Sequence, residues 1–231
     1  MALKDELESE VRTIFRSPWS TRDGHVVPAS ESIGLGNDAT IIEGTVLYAD
    51  LADSTKLVDG HSQGFAAEVY KSFLLCAAKI IRSEGGEITA YDGDRVMTIY
   101  LGDSKNTSAV RTAMKLHWAV RKIIQPALNA QYSTAGFEVK HVVGIDTSSL
   151  FAARTGIRGS NDLVWIGRAA NYAAKLAALP DSHQKYITQE IYENMSNDVK
   201  FSDGQNMWEA VRWNTFDNRI IYRSTWWWPL S

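Results

Sequence analysis

The chain has 231 residues, 45% hydrophobic and 22% charged, enough to bury a sizeable core in one large domain or two small ones. Lys and Arg number 24 against 27 Asp and Glu, a net charge of −3 with no dense basic run, which gives no support to direct nucleic-acid binding. The single cysteine, Cys76, excludes an internal disulfide framework and fits a reducing, cytoplasmic compartment. The charges in the opening Met-Ala-Leu-Lys-Asp-Glu-Leu-Glu come too early for a signal peptide, and the apolar runs are far too short for membrane insertion.

Leu3, Leu7, Val11 and Ile14 recur at helical spacing and predict a short amphipathic helix over 3–16, stopped by Pro18. Residues 17–40, with Gly24, Pro28, Gly34, Gly36 and Asn37, read as a connecting arm. The expected organisation is an N-terminal helix and arm over 1–40 and a compact domain over 41–231. A first strand covers 44–51, and a helix follows over 61–84 with Phe65, Val69, Phe73, Cys76, Ala77 and Ile80 on its buried face, closed by Gly85-Gly86. Strands over 87–91 and 95–101 join through Asp92-Gly93-Asp94, the residues a hairpin turn needs. A second long helix runs over 105–125 and ends near Pro126.

Alternation over 137–146 predicts another strand, with a short one over 149–153 and a loop around Gly156, Gly159 and Asn161. Val164-Trp165-Ile166-Gly167 leads into an Ala-rich helix over 168–179, closed by Pro180. Residues 186–188, 207–213 and 219–228 are further strands, and Trp226-Trp227-Trp228 is expected to pack against a sheet edge or a partner subunit. Strands and helices alternate without a uniform βαβ rhythm, which predicts an α+β fold around one mixed or antiparallel sheet.

Two stretches carry chemistry. Val46-Leu47-Tyr48-Ala49-Asp50-Leu51-Ala52-Asp53-Ser54-Thr55 is an apolar run ending in an acid and a small polar turn. An acid placed there can hold a metal beside backbone N–H groups that accept phosphate. Ile88-Thr89-Ala90-Tyr91-Asp92-Gly93-Asp94-Arg95-Val96-Met97-Thr98-Ile99-Tyr100 sets acids at a hairpin tip. Asp50 and Asp94 are 44 residues apart, and the elements between them can bring both carboxylates to one sheet edge. There they would suit Mg²⁺ or Mn²⁺ on a nucleoside triphosphate, although Asp-Gly is equally well explained as a plain turn.

The first stretch resembles the opening motif of class III nucleotidyl cyclases, and Asp92-Gly93-Asp94-Arg95-Val96-Met97 resembles their Gly-Asp hairpin. Val143-Gly144-Ile145-Asp146-Thr147 is similar to their Gly-Ile strand, and Ile166-Gly167-Arg168-Ala169-Ala170-Asn171-Tyr172-Ala173-Ala174-Lys175 to their Asn…Arg helix. Four blocks in order cover roughly residues 41–180. The resemblance implies a ferredoxin-like, palm-type fold with a mainly antiparallel sheet flanked by helices, in a head-to-tail homodimer with sites between subunits. It implies two metals, Mg²⁺ or Mn²⁺, held by Asp50, Asp94 and the Leu51 backbone. The backbone of Leu51, Ala52, Asp53, Ser54 and Thr55 would cradle the β- and γ-phosphates, and Asn171 would orient the ribose. Lys175 stands where the family usually has Arg; it keeps the charge but loses the planar fork.

The base-reading positions depart from the purine cyclases. Adenylate cyclases place Lys, and guanylate cyclases Glu, four residues before the hairpin acid, where this chain has Ala90. The second purine reader, seven before the helix Asn, is Val164. A pocket that reads a base edge by hydrogen bonds loses orders of magnitude without them, which argues against ATP and GTP. Tyr48, where the family has Phe, narrows the site and offers an O–H, and Arg168 is another possible reader. With Gly24-His25-Val26-Val27-Pro28 and the Trp-rich end, these features resemble the Pycsar pyrimidine cyclases of bacterial antiphage defence. That resemblance implies UTP or CTP as substrate and a separate effector that reads the cyclic product. The alternatives are a degenerate cyclase homologue that binds nucleotide without chemistry, or an adenylate cyclase. Gly85-Gly86-Glu87-Ile88 is a short match to the diguanylate cyclase hairpin and is explained by helix capping. The five His residues show no metal-ligand spacing, and Cys76 lies on an apolar helix face.

Overall fold

The computed structural model describes residues 2–230. In chain order its elements are α1 (Leu3–Arg16), β1 (Ser20–Asp23), β2 (Asp38–Leu51), α2 (Ser54–Gly60), α3 (Gln63–Ser83), β3 (Glu87–Asp92), β4 (Arg95–Tyr100), α4 (Lys105–Ala119), a π-turn (Val120–Ile124) and α5 (Gln125–Gln131). They continue with β5 (His141–Ile157), β6 (Ser160–Ile166), α6 (Arg168–Ala177), β7 (Lys185–Thr188), α7 (Gln189–Asn194), the short pair β8 (Phe201–Ser202) and β9 (Gln205–Asn206), β10 (Glu209–Trp213) and β11 (Arg219–Ser224). Contacts divide the chain into two units: residues up to 43 with 149–167, and 44–148 with 168 onward.

In the first unit α1 buries none of its residues. The segment expected as an arm carries β1, which runs parallel to the start of β2 from Ser20 opposite Asp38 to Asp23 opposite Ile41. Two side chains fix it there. Arg22 pairs with Asp38 at 2.7 Å and reaches the Ser32 carbonyl at 2.6 Å, and the Asn37 amide bridges the carbonyls of Ile14 and Ser17, each at 2.8 Å. The end of β5 and β6 form a hairpin whose tight turn uses Gly159 at φ 85°, with Gly156 at φ 107° in the strand before it. The short strand and loop expected over 149–161 are therefore one hairpin.

The second unit holds the sheet order β10-β11-β7-β5-β2-β4-β3. Its pairs are antiparallel apart from β5 with β7. Ala52 N–H bonds to the Lys140 carbonyl at one end of the β2–β5 pair, and Thr45 meets Thr147 at the other, which makes that pair antiparallel as well. Leu47, Ala49 and Leu51 of β2 and Val143 and Ile145 of β5 enter one core with Phe65, Val69, Phe73 and Ala77 of α3 and Ala109, Val110 and Ala113 of α4. On the opposite face Val142, Tyr186 and Ile221 pack with Leu176 of α6 and Trp213.

Four boundaries differ from expectation for physical reasons. The helix expected over 61–84 is α3, which starts where Ser62 accepts the Phe65 N–H and caps it, and the turn expected before it holds a separate short helix, α2. The helix expected to end at Pro126 continues, because the wide π-turn before it absorbs the residue that lacks an N–H. The strand expected from 137 starts at His141, since Gln125 holds Val139 N–H and the Phe137 carbonyl. The last strand ends at Ser224: Ser224 Oγ takes the Trp226 N–H, Trp228 N–H turns to the Met114 carbonyl, and Trp226 and Trp228 pack on the core. His117 and His141 are core residues. Lys185, fully buried, lies 3.0 Å from His117 Nδ1, and burial holds the pKa of all three below their usual values.

Candidate active site

Alternation along β2 sends Tyr48 and Asp50 to the face opposite Leu47, Ala49 and Leu51. Register then builds two rows across three strands. Tyr48 lies opposite Met97, which lies opposite Ala90; Asp50 lies opposite Arg95, which lies opposite Asp92. Asp94 sits at the hairpin tip beside Gly93, whose φ of 62° makes the tight turn. Asp50 and Tyr48 thus share one sheet face, and Asp94 at the tip is near enough to act on the Asp50 carboxyl.

The charge there is unbalanced. The Asp50 carboxyl is pushed up to about 6, first by burial and then by Asp94, with Arg95 and the Leu51 N–H opposing. Among the described residues Asp94 Oδ2 is buried without a hydrogen-bond partner. A buried acceptor left bare beside a second strained carboxylate is what a hard cation would relieve, so the pair fits Mg²⁺ or Mn²⁺. Among the described residues no three or more His, Cys, Asp or Glu side chains are grouped to hold a metal. A cation here would need substrate oxygens to fill its shell, as Mg²⁺ sites on phosphates do. The Tyr48 phenol is raised by burial, and Arg95 lies near enough to oppose that shift.

The Leu51 side chain is in the core, and Asp53 is exposed in a left-handed conformation at φ 59°, its carboxylate 2.6 Å from Lys56. Ser54 and Thr55 open α2.

Helix α6 lies directly on β5. A Cβ at Gly144 would stand 2.1 Å from the Ala173 carbonyl oxygen and 2.5 Å from Ala177 N, so only glycine permits the approach. Ala169, Ala170, Ala173, Leu176 and Ala177 face inward, which leaves Asn171 and Lys175 exposed. Lys175 Nζ rests 4.3 Å from the centroid of Phe216, in the β10–β11 turn. Arg168 is committed elsewhere: to Asp146 through Nε at 3.1 Å and Nη2 at 3.3 Å, to the Thr147 carbonyl at 2.8 Å and to Glu190 at 2.5 Å. It ties the start of α6 to β5. Val164 belongs to the other unit, opposite Ala153. Among the described residues no hydrogen bond or ion pair joins Asn171 or Lys175 to Asp50 or Asp94 within the chain.

Sequence reasoning gave no role to Arg95, Phe216 or the Asp146–Arg168 pair. For Arg95 the signal was present, since hairpin pairing and strand alternation put it on the Asp50 face. The contacts of Phe216 and Asp146 are non-local and had none.

No family model matches the chain. It is 55% identical to a uridylate cyclase of Xanthomonas perforans and 48% identical to a uridylate cyclase of Burkholderia cepacia, in both cases over 100% of each chain. Among solved structures, the guanylyl cyclase Cya2 superposes with a TM-score of 0.67 at 16% identity, over 80% of this chain and 92% of its own. The class III cyclase fold implied by the four motifs is therefore present, and full-length identity at this level settles the rest: the chain belongs to the uridylate cyclase family and is a nucleotidyl cyclase.

Proposed function

We propose that the chain converts UTP, with CTP the alternative pyrimidine, to the 3′,5′-cyclic nucleotide and pyrophosphate. The observation that carries this reading is the row Tyr48–Met97–Ala90 beside Asp50, which offers a purine no charged or amide reader at the Ala90 position. The names of the two full-length relatives support it.

Asp50, Asp94 and the Leu51 backbone would hold Mg²⁺ or Mn²⁺, two per site, which when bound favour ionisation of the ribose hydroxyl and neutralise phosphate charge. The N–H groups of Asp53, Ser54 and Thr55 face the β- and γ-phosphates, while that of Ala52 is held by the Lys140 carbonyl. Asn171 hydrogen-bonds the ribose and aims O3′ at the α-phosphorus. Lys175 donates to an α-phosphate oxygen as charge builds there. The O3′–P bond forms, the bond from the α-phosphorus to the bridging oxygen breaks, pyrophosphate leaves, and the 3′-hydroxyl proton passes to solvent.

The head-to-tail dimer that the family resemblance implies would set Asn171 and Lys175, exposed on α6, of one subunit against the acids of the other. The product would act as a second messenger for a separate effector in antiphage defence, as the family resemblance implies.

Incubation with each of the four nucleoside triphosphates and Mn²⁺, followed by mass spectrometry of the products, tests the reading. Cyclic UMP is expected as the main product. Cyclic AMP or cyclic GMP in its place, or binding without turnover, overturns it.

A further inference from the structure

We propose that Arg95 reads the base, donating to the carbonyl at position 4 of uracil and thereby selecting UTP over CTP; this rests on the pyrimidine cyclase reading above. Three observations converge on it. First, pairing places Arg95 directly opposite both Asp50 on β2 and Asp92 on β3, so its side chain rises from the same sheet face as the acid and as Tyr48. Second, Tyr48 and Ala90 are its diagonal neighbours, two residues along each flanking strand. Such neighbours lie about 7–8 Å away, within reach of a long side chain. Ala90 is small and leaves open the space that a purine-reading side chain would fill. Third, the guanidinium is under-used. Among the described residues its Nε is buried with no partner, and its one ion pair is a 3.8 Å contact with the exposed Asp92.

An arginine has only donors to offer. Uracil presents carbonyl oxygens at positions 2 and 4, whereas cytosine replaces the second with an amino group that is itself a donor. A guanidinium over Ala90 is satisfied by the first edge and repelled by the second. The reader missing from β3 is thus supplied by the neighbouring strand. Tyr48 beside it closes the pocket to the size of one ring and shields the contact from water.

The experiment measures equilibrium binding, in Mn²⁺, of three 3′-deoxy triphosphates that cannot cyclise: those of uridine, of cytidine and of the pyrimidin-2-one nucleoside, which lacks any group at position 4. Inorganic tripolyphosphate is the fourth probe. Wild-type protein is expected to bind the uridine analogue at least tenfold more tightly than the other two nucleotides. Arg95→Ala and Arg95→Gln should bring all three within about twofold of each other while leaving tripolyphosphate unchanged, and Arg95→Lys should keep part of the preference. Thermal melts confirm that each variant is folded, and Arg95→Lys keeps the test alive where truncation unfolds the protein. A wild-type preference for the cytidine analogue, a preference that survives Arg95→Ala, or a loss shared equally by tripolyphosphate each overturns the assignment. Failure of the parent reading is distinct: wild-type protein would then cyclise no pyrimidine nucleotide.

Discussion

Asp50 carries the clearest single-residue consequence. Its carboxyl titrates at about 6 instead of 3.8 because burial and Asp94 disfavour its charge. The folded state therefore holds a proton that the unfolded state has released between those values, and stability falls as pH rises through that window. Asparagine never takes the charge. Asp50→Asn is expected to melt higher than wild type at pH 7.5 without metal, with the advantage fading below about pH 4. Discounted for partial exposure, the gain is about 1 kcal/mol, or roughly 2–4 °C for a chain of this size. Mn²⁺ should raise the melting temperature of wild type and not of the variant. A variant that melts lower at pH 7.5, or that keeps the Mn²⁺ shift, removes Asp50 from the metal site. This residue was legible in the sequence because its position follows from strand alternation and a turn, both local. Arg168 was not, since the partners that occupy it, Asp146 and Glu190, lie 22 residues away on either side.

Among the elements, α6 and β5 show how a motif is made by packing. The Gly144 of the Gly-Ile strand is needed because the helix carrying Asn171 and Lys175 presses its backbone against that residue. Gly144→Ala must push α6 off the sheet, since both nearest atoms are backbone and cannot rotate away. The expected cost is about 3 kcal/mol in chemical denaturation, at the upper end of ordinary overpacking. Gly60→Ala, with nothing within 4 Å of the added Cβ, is the control and should leave stability within about 0.5 kcal/mol. Equal melting of the two variants would mean that α6 does not seat as described. The helix itself was legible from its alanines, and the strand from its alternation. Their contact was not, because nothing local in Val143-Gly144-Ile145 says which element lies above it. The same limit explains Pro126: a proline is a helix stop by local rules, and the π-turn that absorbs it is set by how the surrounding helices pack.

At the scale of the molecule, the proposed sharing of each site between two subunits makes a prediction that a single-chain site does not make. In a symmetric dimer each site takes its acids from one subunit and its Asn171 and Lys175 from the other. Asp50→Ala and Lys175→Ala are each expected to cut turnover by at least 100-fold, because the first removes a proposed metal ligand and the second the proposed charge on the α-phosphate. Mixed in equal amounts and allowed to exchange subunits, half of the dimers become mixed. In each of these one site gathers both substitutions and the other gathers neither. One working site in two, in half of the dimers, restores about a quarter of wild-type activity. Were each site built within one chain, every site in the mixture would carry one lesion and the mixture would stay as inactive as its components. Subunit exchange is followed independently by mass spectrometry of differently tagged chains, so that inactivity without exchange is separated from inactivity with it. Recovery near one quarter fixes the exposed face of α6 as the half of the site that each subunit lends to its neighbour, and accounts for its polar residues pointing away from their own core.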